Sequence, residues 1–125
     1  MSSIWSHLRV VPLCAVLCAC GGGDSDSAPQ STTVYASLEA LQCMSTIVRP
    51  LSSLALTLST NGVTVVTKSC GNDGNAHVTV CGVPDGSIGI FSIPATQAPT
   101  AHTLGFAPLS DLPNARTDAC PAGGN

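Results

Sequence analysis

Charge is scarce in this sequence: of 125 residues, four are Lys or Arg and seven are Asp or Glu. Without a stripe of cations to neutralise phosphates, a nucleic-acid-binding face is excluded. Aromatic residues are as few, with one Trp, one Tyr and two Phe, too little ring area for a sugar-binding or base-stacking surface. No apolar run reaches the roughly 20 residues that a membrane-spanning helix needs. The motifs G-x-S-x-G, H-E-x-x-H and the phosphate-binding P-loop are missing. Glu39 is the one glutamate, so no pair of glutamates stands ready for acid–base work. His77 and His102 are isolated in sequence, and a lone histidine is more often a satisfied surface residue than a base. Asn72-Asp73-Gly74-Asn75 lacks the acids at fixed places that a calcium loop requires. The chain is therefore read as non-enzymatic, with no cofactor, no metal and no small-molecule substrate. It is not read as disordered, because 44% of it is hydrophobic and its net charge is only -3.

What the sequence does have is cysteine, seven in all, and such a count in a short chain points to an oxidising compartment. Three of the seven crowd the N-terminus. Met1–Arg9 is a polar leader with one cation, Val10–Leu17 is a short apolar run, and Leu17-Cys18-Ala19-Cys20 closes it. That layout predicts a cleaved signal peptide over residues 1–19. Its end resembles the lipobox of bacterial lipoproteins, in which Leu, a small residue and Ala or Gly precede the lipidated cysteine. The resemblance covers about the first 30 residues and makes Cys20 the lipidation site. It implies a membrane partner through the lipid anchor. Gly21 after the cysteine implies sorting to the bacterial outer membrane, with the domain in the periplasm or at the surface. Residues 20–33, rich in Gly, Ser and Asp, read as a flexible tether. Cleavage would remove Arg9 and Trp5, leaving three basic and seven acidic side chains.

A globular domain is expected over residues 34–120, with 121–125 a disordered C-terminus. Leu38, Leu41, Met44, Ile47 and Val48 follow helical spacing, which predicts a helix over residues 34–48 that Pro50 stops. Leu51, Leu54, Ala55 and Leu58 favour a second helix ending at Asn61-Gly62, although the same pair would also turn a hairpin. Val63–Ser69 reads as a strand and Cys70–Asn75 as a loop. Val78–Val83 and Ser87–Ile93 flank Pro84-Asp85-Gly86 and read as a hairpin. Residues 95–104 suit a short helix stopped by Gly105, with Phe106, Leu109 and Leu112 folding back over the core. The fold class is α+β, a small disulfide-stabilised domain of two or three helices with a short antiparallel sheet.

A domain of about 87 residues buries only about 60–65% of its unfolded surface and gains from covalent support. Once Cys20 is acylated, Cys43, Cys70, Cys81 and Cys120 remain, an even number that suits two disulfides. Cys70, His77 and Cys81 include zinc-ligand types, but their spacing is not that of paired C-x-x-C motifs and exported thiols tend to oxidise. Four cysteines allow three pairings. The favoured one is Cys70–Cys81 with Cys43–Cys120, the first closing a loop of about 12 residues worth roughly 3 kcal/mol. A regular hairpin closed after Cys70 would leave Cys81 about 13 Å away, too far for a disulfide, so residues 71–80 are expected to form a stapled loop with little strand.

Function is read as a structural or partner-binding role in the envelope, with an envelope protein as partner. The second reading is a periplasmic inhibitor or immunity-type lipoprotein that blocks an enzyme through the Cys70–Cys81 loop. A small hydrolase is the third class, and it would have to rest on His77 or His102.

Overall fold

Alternation, not helical spacing, sets the first element. In the computed structural model, which describes residues 30–44, 47 and 49–125, strand β1 runs Ser31–Ser37. Val34, Ala36, Leu38 and Ala40 are all buried, a period of two that two small alanines disguise in the sequence. Thr32, Thr33, Val34 and Tyr35 are β-branched or aromatic and suit a pleated strand. The helix expected over residues 34–48 is thereby corrected. Glu39 and Cys43 have φ of 56° and 63°, single left-handed residues that no α-helix accommodates. Residues 31–33 also leave the expected tether and join the strand. Residues 1–29, with Cys20, the expected signal peptide and most of the expected tether, lie outside the described residues.

Helix α1 spans Leu51–Thr60 and buries Leu51, Leu54 and Leu58, so the helical alternative at this segment holds. Pro50 precedes the first turn in an extended conformation. At the other end Gly62, with φ +82°, donates to the Ser59 carbonyl, and Val63 donates to that of Leu58. This is a Schellman close, completed by burial of Val63 against Leu58. Val63 is thus the lid of a helix instead of the start of a strand, and strand β2 begins later, at Thr67–Asn72. Strand β3 is Ser87–Pro94. After a 3-10 turn, helix α2 spans Ala98–Thr103. It ends in the same way, with Gly105 donating to His102 and buried Phe106 donating to Ala101. Short strands β4, Ala107–Pro108, and β5, Arg116–Thr117, follow.

The strands form one antiparallel sheet in the order β4-β1-β3-β2-β5. Val34, Ala36, Cys70, Phe91 and Ile93 form one core with Leu51, Leu54 and Leu58 of α1 and with Ala101 and Phe106. Phe91 and Phe106 meet edge to face with centroids 5.6 Å apart, and complete burial of Phe91 contributes about 2–3 kcal/mol. On the same face of β3, Gly89 leaves room for α1: a Cβ there would stand 2.9 Å from a Leu51 methyl. The fold class, a small α+β domain with two helices, an antiparallel sheet and two disulfides, is as expected.

The expected hairpin around Pro84-Asp85-Gly86 does not form. Gly86 is left-handed, at φ +85°, but the residues before it turn towards another segment. Leu41 and Pro84 form a β-bridge, Asp85 donates to the Ala40 carbonyl, and Gln42 exchanges hydrogen bonds with Val83 and Gly82. The strand that pairs with β3 on this side is β2, in register from Thr67↔Ser92 to Asn72↔Ser87. Residues 73–83 contain no strand.

All four expected cysteines are in disulfides, and the pairing differs from the favoured one. The bridges are Cys43–Cys81 and Cys70–Cys120, each with Cα atoms 5.0 Å apart. The reason is positional. Strand β2 continues past Cys70 and directs its side chain into the core, so Cys81 cannot reach it. Strand β5 lies along β2, Asp118 donates to the Cys70 carbonyl, and two residues later Cys120 arrives at the same place. Within residues 121–125, Gly124 is buried and its carbonyl accepts the Leu51 N–H at 2.8 Å.

Candidate functional site

The chemistry-bearing side chains gather where the long β2–β3 connection meets the segment after β1. Asx-type hydrogen bonds hold the base of this connection. Gly74 N–H donates to Asn72 Oδ1 at 2.9 Å, Asn75 N–H to Asp73 Oδ1 at 2.9 Å, and Ser87 N–H to Asp85 Oδ1 at 2.8 Å. Each lets a short polar side chain imitate a backbone turn. The backbone closes the base as well, since Asp73 N–H donates to the Gly86 carbonyl at 2.9 Å.

Inside that base sits a pair that residue-by-residue reading of the sequence misses. His77 Nε2 lies 2.9 Å from both carboxylate oxygens of Asp73, and both side chains are largely shielded from water. Burial alone would raise the Asp73 carboxyl. The hydrogen bond from His77, the N–H of Asn75 and the histidine's charge outweigh it and hold the carboxyl below its ordinary value. Gly86 makes the arrangement possible: a Cβ there would stand 2.5 Å from His77 Nε2 and 2.8 Å from Asp73 Oδ1. The available signal was the spacing of four between an acid and a histidine, followed by a glycine in a turn.

The pair borders a cleft of about 290 Å³ that Tyr35, Ser37, Ser87 and Leu112 also line. Ser37 Oγ already accepts the Glu39 N–H at 3.0 Å. His102 lines a different cleft, with Val34 and Phe106, so the two histidines do not cooperate. Cys70 and Cys81 belong to separate disulfides, and the combination considered for zinc has no free thiolate to offer. Among the described residues, no three His, Cys, Asp or Glu side chains cluster as metal ligands. Asp73 and His77 act as a clasp across the loop base.

Beyond the clasp, the connection rises to an apex at Cys81, tied to Cys43. The bridge is exposed at both residues. Around it stand three large apolar side chains, Met44, Val78 and Val80, which are 55%, 67% and 57% exposed. A second exposed pair, Leu56 and Val66, borders a shallow groove between α1 and β2. The loop expected over residues 71–80 therefore starts later, because Gly71 and Asn72 belong to β2, and Cys43 instead of Cys70 holds its far end. Comparison with protein-family models, with curated proteins and with solved structures gives no match.

Proposed function

We propose that this chain is a lipid-anchored envelope protein with a non-enzymatic role, which docks an envelope protein through the apex of the 73–84 loop. The observation that carries the reading is the apex itself. Two valines and a methionine, each more than half exposed, would ordinarily be buried or replaced, and here a disulfide and a clasp hold them outward. Apolar side chains displayed on a preorganised loop lose little entropy on binding and suit a protein surface. The few charges on the chain fit a partner chosen by shape more than by electrostatic steering. The lipobox-like segment ending at Cys20 supports the anchor, and an acyl group there would hold the domain at the outer membrane. Stable anchoring would take more than one acyl chain.

The same rigid loop also supports the inhibitor or immunity-type reading, in which the docked partner is an enzyme whose site the apex fills. Capture from envelope extracts with the tethered protein separates the two. A stoichiometric envelope assembly supports the first reading, and a soluble enzyme whose activity falls on binding supports the second. In either case Val78→Ser with Val80→Ser should abolish capture, whereas Leu56→Ser should not. Capture that survives the paired valine substitution sinks the apex as the docking surface. For the anchor, Cys20→Ser should release the protein from membranes, and unchanged partitioning rejects lipidation there.

A further inference from the structure

The two disulfides differ in what an attacking thiol can reach. Cys70 is 2% exposed and belongs to the core, and half-buried Cys120 packs against it, so an attacking thiol has less access to this bridge. Cys43 and Cys81 are both exposed, and neither lies in a helix or a strand. Cys43 sits in left-handed backbone at φ 63°, a conformation that a non-glycine residue seldom adopts without an outside constraint. Here Cys43 is the third residue of a turn that Met44 closes by donating to the Leu41 carbonyl at 3.2 Å. That turn, the Asp73–His77 clasp and the hydrogen bonds of residues 40–42 with 82–85 hold both sides of the loop without the bridge, so it can open while the domain stays folded.

We propose that Cys43–Cys81 is a site of reversible thiol–disulfide exchange whose co-substrate is a dithiol, and that Cys70–Cys120 stays closed under the same conditions. A thiolate of the dithiol attacks one sulfur of the bridge. A mixed disulfide forms, the Cys43–Cys81 bond breaks, and its electron pair leaves on the other sulfur as a thiolate. The second thiol of the co-substrate then displaces the mixed disulfide. Two electrons have passed to Cys43 and Cys81, which end as thiols, and the dithiol ends as its own disulfide. The domain remains folded throughout. If the docking reading holds, on which this one consequence rests, reduction slackens the apex and weakens capture of the partner.

Dithiothreitol is the probe. The folded protein, expressed with its own N-terminal segment, is exposed to limiting dithiothreitol, quenched by alkylation at intervals and mapped by mass spectrometry. Cys43 and Cys81 should become labelled at least about tenfold faster than Cys70 and Cys120, with the circular dichroism spectrum unchanged. Oxidised glutathione should restore the Cys43–Cys81 bridge. Equal labelling rates, earlier labelling of Cys70, or labelling that appears only as the spectrum collapses overturns the proposal. Selective labelling with capture insensitive to Val78→Ser and Val80→Ser keeps the exchange site and rejects the docking surface. Equal labelling with valine-dependent capture does the reverse.

Discussion

Two bridges of similar span do different work in this molecule. Cys70–Cys120 and Cys43–Cys81 join residues 50 and 38 positions apart, so the chain-entropy model assigns each about 4 kcal/mol. The folded state separates them. One bridge is part of the core and joins β2 to the end of the chain. The other lies in solvent and joins two irregular segments. Opening the first frees the segment after β5 from the core face of β2, whereas opening the second frees one loop whose base is otherwise held. The span of a disulfide describes the unfolded chain, and its burial decides how much of the native structure depends on it.

The comparison breaks most directly at the buried bridge. Cys70→Ala with Cys120→Ala should lower stability by about 4 kcal/mol through chain entropy, with about 1 kcal/mol more from the void beside Phe91 and Leu54. Urea denaturation followed by circular dichroism measures it. Next comes Gly86→Ala, which forces a side chain into left-handed backbone and against the His77 ring. A loss of about 2–3 kcal/mol is expected, together with displacement of the His77 ring signals in NMR spectra. Cys43→Ser with Cys81→Ser removes a cross-link of similar chain entropy, but its effect on the folded state should stay within the loop, whose base is otherwise held. Hydrogen exchange should quicken at residues 76–82 and stay slow in β1 and β3. If exchange quickens across β1 and β3 as well, the distinction between the bridges fails.

The smallest effect is a pH dependence. The Asp73 carboxyl is held below its ordinary value in the folded protein, so the stability it contributes is complete above its unfolded pKa. That stability disappears as pH falls through the lowered folded value. Asp73→Asn should therefore flatten the acid limb of the stability curve below about pH 4. An unchanged acid limb would show that the clasp does not form in solution.

Sequence patterns told most where the signal was local. Helix α1 was legible from Leu51, Leu54 and Leu58 with Asn61-Gly62 behind them, and α2 from Gly105, because a Schellman close needs only a few adjacent residues. Strand β1 was hidden because Ala36 on its inward face, and Ala40 just beyond it, carry too little side chain to register as apolar alternation. Leu38, Leu41 and Met44 meanwhile matched a helical template by coincidence. The turn chemistry of Pro84-Asp85-Gly86 was read correctly for Gly86, but a turn does not name its partner, and the segment before it was drawn to residues 40–42. Disulfide pairing failed for the same reason. Short loop closure favoured Cys81 for Cys70, while the actual choice depends on β5 lying against β2, a contact between distant segments. Asp73 and His77 were each weighed alone, so the clasp stayed invisible even though both residues were noticed.

The order of the strands sets the order in which this protein can fold. β3 lies between β1 and β2 in the sheet yet follows both in the chain. A polypeptide emerging from its N-terminus, as synthesis delivers it, therefore presents two strands without their shared neighbour until residue 94 has emerged. Of the four domain cysteines, the first two to appear are Cys43 and Cys70, which are not partners in the native protein. Oxidation in order of emergence would join them, close the wrong ring and keep β2 from the place where Cys120 must arrive. Correct assembly thus waits on the last residues delivered, and a cell making this chain in quantity would need an enzyme that reshuffles disulfides as much as one that forms them.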